Sequence, residues 1–281
     1  MPSSPPVTVY QSERRDDGFG YPTGTRAGLT KVPEITAYFW IIKVLTTGMG
    51  ETASDYLAHR FPPVVAVACG FVAFAGALVL QFVVRRYIAW IYWLAVVMVS
   101  VFGTMAADVM HVGMGIPYTI STTFFSVVLA VIFVVWYRCE RTLSIHSIDT
   151  RRREFFYWAT VLATFALGTA AGDLTATTFG WGFFGSGVVF AVAIAVPAIA
   201  HRRFGLGGVA AFWIAYVITR PLGASFADWM GLPPERGGVG MGTGPVTIGW
   251  SVAIVALVAY LAITRADVSP DSPDGRVIHR A

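Results

Sequence analysis

FWIIKVLTTGMGETASD (residues 39–55), YWLAVVMVSVFGTMAAD (92–108), YWATVLATFALGTAAGD (157–173) and FWIAYVITRPLGASFAD (212–228) carry the reading of the whole chain. Each opens on an aromatic residue and a tryptophan, has a glycine ten residues after that tryptophan, and ends on an aspartate five residues later. Trp40, Trp93, Trp158 and Trp213 are followed in this way by Gly50, Gly103, Gly168 and Gly223, and then by Asp55, Asp108, Asp173 and Asp228. A fixed register held four times makes the repeat, and not the single segment, the unit to interpret.

Outward from these stretches the chain is apolar. Hydrophobic residues make up 56% of it and charged residues 13%, with a mean hydropathy of +0.64, which excludes an ordinary soluble domain. Apolar runs at about 34–57, 64–84, 88–110, 118–137, 155–175, 181–200, 206–230 and 246–264 each approach the ~20 residues needed to span a bilayer. The expectation is an all-α integral membrane protein of eight transmembrane helices. They form four parallel two-helix repeats, about 32–86, 87–150, 151–204 and 205–266, in a pseudo-fourfold arrangement. Residues 1–31 and 267–281 are polar and Pro-containing, and read as disordered cytoplasmic tails.

The connections after the second, fourth and sixth helices hold Arg85, Arg86, Arg138, Arg141, Arg151, Arg152, Arg153, Arg202 and Arg203, and Arg265 closes the eighth; the opposite connections hold only Arg60 and Arg236. Such a bias places both termini in the cytoplasm, in a multi-pass protein of the inner (plasma) membrane. The net charge of +4 then reports orientation, and no basic stripe suggests a nucleic-acid partner. Cys69 and Cys139 have no CxxC partner. HExxH, GxSxG and Walker A patterns do not occur, so the chain reads as no enzyme, and no cofactor is called for.

The aromatic-Trp, Gly and Asp register resembles a bacterial membrane-protein family with four tandem two-helix repeats, each with a characteristic tryptophan, known as a repeat of unknown function. The resemblance covers about residues 32–265. It implies the repeat architecture and brings no mechanism.

At about 100° per residue, positions 7, 11 and 15 after the tryptophan share one helix face. They are Thr47, Glu51 and Asp55; Ser100, Thr104 and Asp108; Phe165, Thr169 and Asp173; Arg220, Ala224 and Asp228. Lys43 lies at the edge of that face, one turn nearer the tryptophan. The glycines pair with small residues four positions on, a ridge that brings membrane helices close and would turn the polar stripes inward. The four aspartates are then expected at one depth, about 22 Å from the tryptophans. The tryptophans themselves are read as interfacial anchors.

Intramembrane charge is costly, so Glu51, Arg220 and Lys43 are expected to be used or paired, with Arg220 facing Glu51 or an aspartate of another repeat, as partner or gate. His59 and His111 follow Asp55 and Asp108 on the same helical side. Asp55, Asp108, Asp173, Asp228, Glu51, His59 and His111 are therefore candidate metal ligands, with Thr47, Ser100, Thr104 and Thr169 as oxygen donors. The pattern points to a transporter of a small cation, with a divalent metal such as manganese foremost, because converging carboxylates repel unless neutralised. The alternative is a membrane scaffold or sensor whose buried charges are structural. Membrane lipid is the other expected partner, and the sequence leaves the oligomeric state open.

Overall fold

The computed structural model describes residues 30–268, and within them every regular element is helical. In chain order they are α1 (Ala37–Arg60), α2 (Pro63–Val83), α3 (Ala89–Asp108), α4 (Tyr118–Glu140), α5 (Arg151–Asp173), α6 (Gly182–Ala193), α7 (Ala195–Phe204), α8 (Gly208–Gly231) and α9 (Thr243–Thr264). Thr36 and Thr150 cap α1 and α5 by accepting from the backbone N–H three residues on. Proline opens or precedes α2 and α4, where its missing N–H costs nothing. α6 and α7 form one interrupted span.

Seven helical stretches are long and apolar enough to cross a membrane, which makes this a multi-pass membrane protein. α1 matches them in length, with 24 residues, but carries Lys43, Glu51 and Asp55. The helices sort into two layers. In α3, α5 and α8 the apolar window is 56–72% buried, whereas in α2, α4, α6–α7 and α9 it is 17%. α1 buries a continuous run from Thr46 to Ser54 and belongs with the first group. The inner layer is therefore the set of helices that bear the repeated tryptophan and aspartate.

Inner helices contact in a closed sequence, α1 with α3, α3 with α5, α5 with α8 and α8 with α1. Each outer helix lies mainly on the inner helix of the following repeat: α2 on α3, α4 on α5, α6 and α7 on α8, and α9 back on α1. No repeat is a self-contained hairpin.

Of the two expected tails, residues 1–29 and 269–281 lie outside the described residues. Lys31 and Asp267, placed in those tails by the sequence reading, pack against the bundle. Lys31 Nζ is 2.6 Å from Glu154 Oε2, and the Tyr87 hydroxyl donates to the Asp267 carboxylate.

Three of the four repeat tryptophans correct an expectation, while Trp40 is only half-buried. Trp93, Trp158 and Trp213 are only 1–5% exposed, packed ring on ring with Phe39, Tyr92, Tyr157 and Phe212. Trp213 Nε1 also donates to Leu143 O at 2.9 Å. The aromatic pair opening each repeat cements the inner layer, because large rings at one level fill the space that four helices leave between them.

Candidate functional site

Glycine sets the approach of the inner helices. A Cβ added to Gly50 would meet Ser100, one on Gly103 would meet Phe165, one on Gly168 would meet Arg220 and one on Gly223 would meet Thr47, each under 3.0 Å. In every case the glycine ten after one tryptophan receives the residue seven after the next, and the fourth returns to the first. This is the small-residue packing of membrane helices, closed on itself.

With the helices this close, every fourth residue of the inner face becomes a layer. At the tryptophan end Phe39, Tyr92, Tyr157 and Phe212 are buried, with Tyr92 Oη 2.5 Å from Tyr157 Oη. One turn on come Lys43, Val96, Val161 and Tyr216, all 0–1% exposed. Lys43 Nζ has no hydrogen-bond partner and lies over the rings of Phe165 and Tyr216, at 3.8 and 4.1 Å from their centroids. A buried lysine amine facing only ring faces is unusual, since cation–π attraction would replace only part of the hydration that its charged form loses.

The next layer holds Thr47, Ser100, Phe165 and Arg220. The Thr47 hydroxyl donates to Val44 O, and Ser100 Oγ donates to Thr46 O at 2.8 Å, so both hydroxyls are engaged by backbone at the helix crossings. Arg220 is 0% exposed and reaches up into the layer of Glu51, Thr104 and Thr169. Its Nη2 donates to Glu51 Oε2 at 2.5 Å, to Thr169 Oγ1 at 2.7 Å and to Thr104 Oγ1, while Nη1 donates to Thr47 O at 3.1 Å. The fourth member of that layer is the buried Ala224. The expected Arg220–Glu51 pair is thus present, and it gathers one or more polar groups from every repeat.

Above it Asp55, Asp108, Asp173 and Asp228, one per repeat, line a single cavity of about 560 Å³, together with Glu51 at its floor. Exposed His59 and Arg236 stand at its rim. Asp108, His111 and Asp173 are the tightest group, each offering a ligand atom within 4.8 Å of the others'. His111 Nδ1 is 3.9 Å from Asp173 Oδ2, and Ser54 Oγ donates to Asp108 Oδ2 at 3.4 Å. His111 is 7% exposed, yet neither ring nitrogen has a hydrogen-bond partner. Two carboxylates and an imidazole form a donor set suited to a first-row divalent ion.

His59, by contrast, directs Nδ1 to its own helix at Asp55 O, 2.7 Å away, and stays outside this group. α3 and α5 each pass into a π turn immediately after the repeat aspartate, Val109–Gly113 and Leu174–Thr178, whereas α1 and α8 run on as regular helix. The wider turn holds His111, which lies beside Asp108 and Asp173 and packs edge-on against Tyr118, itself part of the cavity lining. Such turns concentrate at functional sites because they re-aim side chains at the cost of regular hydrogen bonding. Ser54, which the repeat pattern gave only as the small partner of Gly50, lines the cavity too, as do Tyr118 and Arg236, which did not emerge from that pattern.

The family model for a repeat of unknown function (DUF347) matches this chain four times, over residues 38–87, 91–142, 156–205 and 211–267, and the chain belongs to that family. No curated protein and no solved structure matches it.

Proposed function

We propose that this DUF347 protein is a carrier for a small cation, most readily a divalent metal of the manganese class. It would span the inner (plasma) membrane eight times in a pseudo-fourfold arrangement, with both termini in the cytoplasm. The observation that carries the reading is the meeting of the four repeat aspartates in one cavity, with Asp108, His111 and Asp173 close enough to share an ion. Five carboxylates stand there against Arg220 and Arg236, so the cavity favours cations. The arginine-rich connections all lie at the tryptophan end, which supports entry of the substrate from the external side through the aspartate end.

Below the cavity the axis is filled by Arg220, Phe165, Lys43 and the tyrosine layer, all buried. A sealed floor beneath a wide mouth suits a carrier that alternates access better than an open pore, and fixed positive charge on the axis bars a continuous cation stream. For metal to pass, Arg220 must release Glu51, so the pair serves as the gate.

The test is flux into proteoliposomes, with Mn²⁺, Zn²⁺, Cu⁺, Ca²⁺ and H⁺ screened on the native protein beside a folded Asp108→Asn, Asp173→Asn variant. Metal flux lost in the variant is the expected result. A well-folded native protein that moves none of these ions would overturn the carrier reading. One observation favours a second reading, a non-transporting scaffold or sensor: the Arg220 network ties all four repeats together. On that reading the double variant changes stability and there is no flux to lose.

A further inference from the structure

Away from the axis, at the tryptophan end, a cavity of about 220 Å³ is lined by Arg86, Tyr87, Trp90, Ala262, Arg265 and Asp267 among others. Its Asp267 carboxylate accepts from the Tyr87 hydroxyl through Oδ2, while Oδ1 has no hydrogen-bond partner. Trp90 and Ala262 also line a second, apolar cavity of about 400 Å³ that continues between α3 and α9 past Leu94, Val97, Val255 and Val258. Polar end and apolar groove are thus continuous, two arginines at one end and almost no polar atom along the other.

A related groove recurs one repeat on. It lies between α2 and the start of α5, has a volume of about 470 Å³, and is lined by Phe71, Phe74, Leu78, Phe82 and Arg151. In both grooves an outer helix faces the inner helix two repeats ahead. In both an arginine, Arg86 or Arg151, stands seven residues before that inner helix's tryptophan, Trp93 or Trp158. The recurrence pairs charge with groove in the second and third repeats, whereas the equivalent positions before Trp213 and Trp40 are Leu206 and Pro33. Trp90, 52% exposed, adds an amphipathic ring at the level where headgroups meet acyl chains.

We infer that the groove between α3 and α9 is a binding site for an anionic glycerophospholipid of the leaflet at the tryptophan end. Its phosphate sits with Arg86 and Arg265 and one acyl chain lies along Trp90, Leu94 and Val97. Arginine suits the phosphate because its planar donors pair with two oxygens at once. The groove would otherwise present an unfilled apolar slot beside α1, where Met49 forms part of its wall. The site is separate from the metal cavity and does not depend on transport.

The test is native mass spectrometry of the full chain in detergent, in an Arg151→Gln background that disables the second groove. The chain is titrated with phosphatidylglycerol or with phosphatidylcholine of the same acyl chains. Phosphatidylglycerol should bind the more tightly. Arg265→Gln should weaken it about fivefold, the worth of one basic residue near an anionic headgroup, and leave phosphatidylcholine unchanged. Ala262→Phe, which keeps both arginines and fills the groove, should also weaken it. Equal binding of the two lipids by the unaltered groove, or phosphatidylglycerol binding untouched by both substitutions, would overturn the assignment.

Discussion

Replacing Arg220 by methionine removes a fully buried guanidinium and strands the carboxylate of Glu51, which is only 4% exposed. The carboxylate then keeps Thr104 and Thr169 as its hydroxyl partners, at 3.4 and 3.5 Å. Removing one member of a buried ion pair typically costs about 3–5 kcal/mol, because the remaining charge stays desolvated without its counter-charge. Removing both members and filling their volume is often neutral or stabilising. Arg220→Met should therefore lose about 3–5 kcal/mol, Glu51→Met a comparable amount, and the double variant should return to within ~1 kcal/mol of the native protein. Reversible unfolding of the four proteins in mixed micelles measures the cycle. A coupling below about 1 kcal/mol, or a double variant whose losses simply add, would refute the pairing argument. The double variant is also informative for transport, since it tests flux in a folded protein whose proposed gate has been removed.

Three further outcomes follow from the geometry. Gly168→Ala drives a Cβ into Arg220 and should destabilise by about 1–3 kcal/mol, whereas Gly76→Ala, with open space around it, should change stability by less than about 0.5 kcal/mol; thermal unfolding of both variants checks this. Mn²⁺ at a hundred times its dissociation constant should stabilise the native protein by about 2.7 kcal/mol and His111→Ala should abolish the shift; stabilisation that survives in the variant would remove His111 from the site. Burial pushes the Asp267 carboxyl up from its ordinary range, so the folded state holds that proton to higher pH than the unfolded chain does. Stability contributed there is present at low pH and falls as pH rises from the ordinary carboxylate range through the raised value. Asp267→Asn should remove this component from a stability-against-pH profile.

The inner face was legible because its signal repeats. Positions spaced by four after each tryptophan recur in register, and helical geometry alone carries Glu51, Asp55, Asp108, Asp173 and Asp228 to one side. Arg220 and Glu51 could be matched because each is an expensive charge in an apolar run, which makes a partner nearly obligatory. The tryptophans misled because a ring near a helix end serves a lipid interface or a packed core equally well, and only the neighbours' positions distinguish the two. The setting of each outer helix on the next repeat was invisible, since apolar helices such as α2 and α9 carry no directional mark. The π turns after Asp108 and Asp173, the first of which holds His111, break the register locally and leave no periodic trace.

The closed order of contacts also bears on how the chain is made. α1 is synthesised first, yet the helices that bury it include α8 and α9, the last to appear. Arg220, the counter-charge to Glu51, follows it by 169 residues. At translation rates of about 5–20 residues per second, Glu51 waits roughly 8–34 s for its partner. Through that interval α1 must be sheltered by the insertion machinery or stay loosely engaged at the membrane surface. A nascent chain released before α9 would display α1 without the helix that covers it, a recognisable mark for membrane quality control.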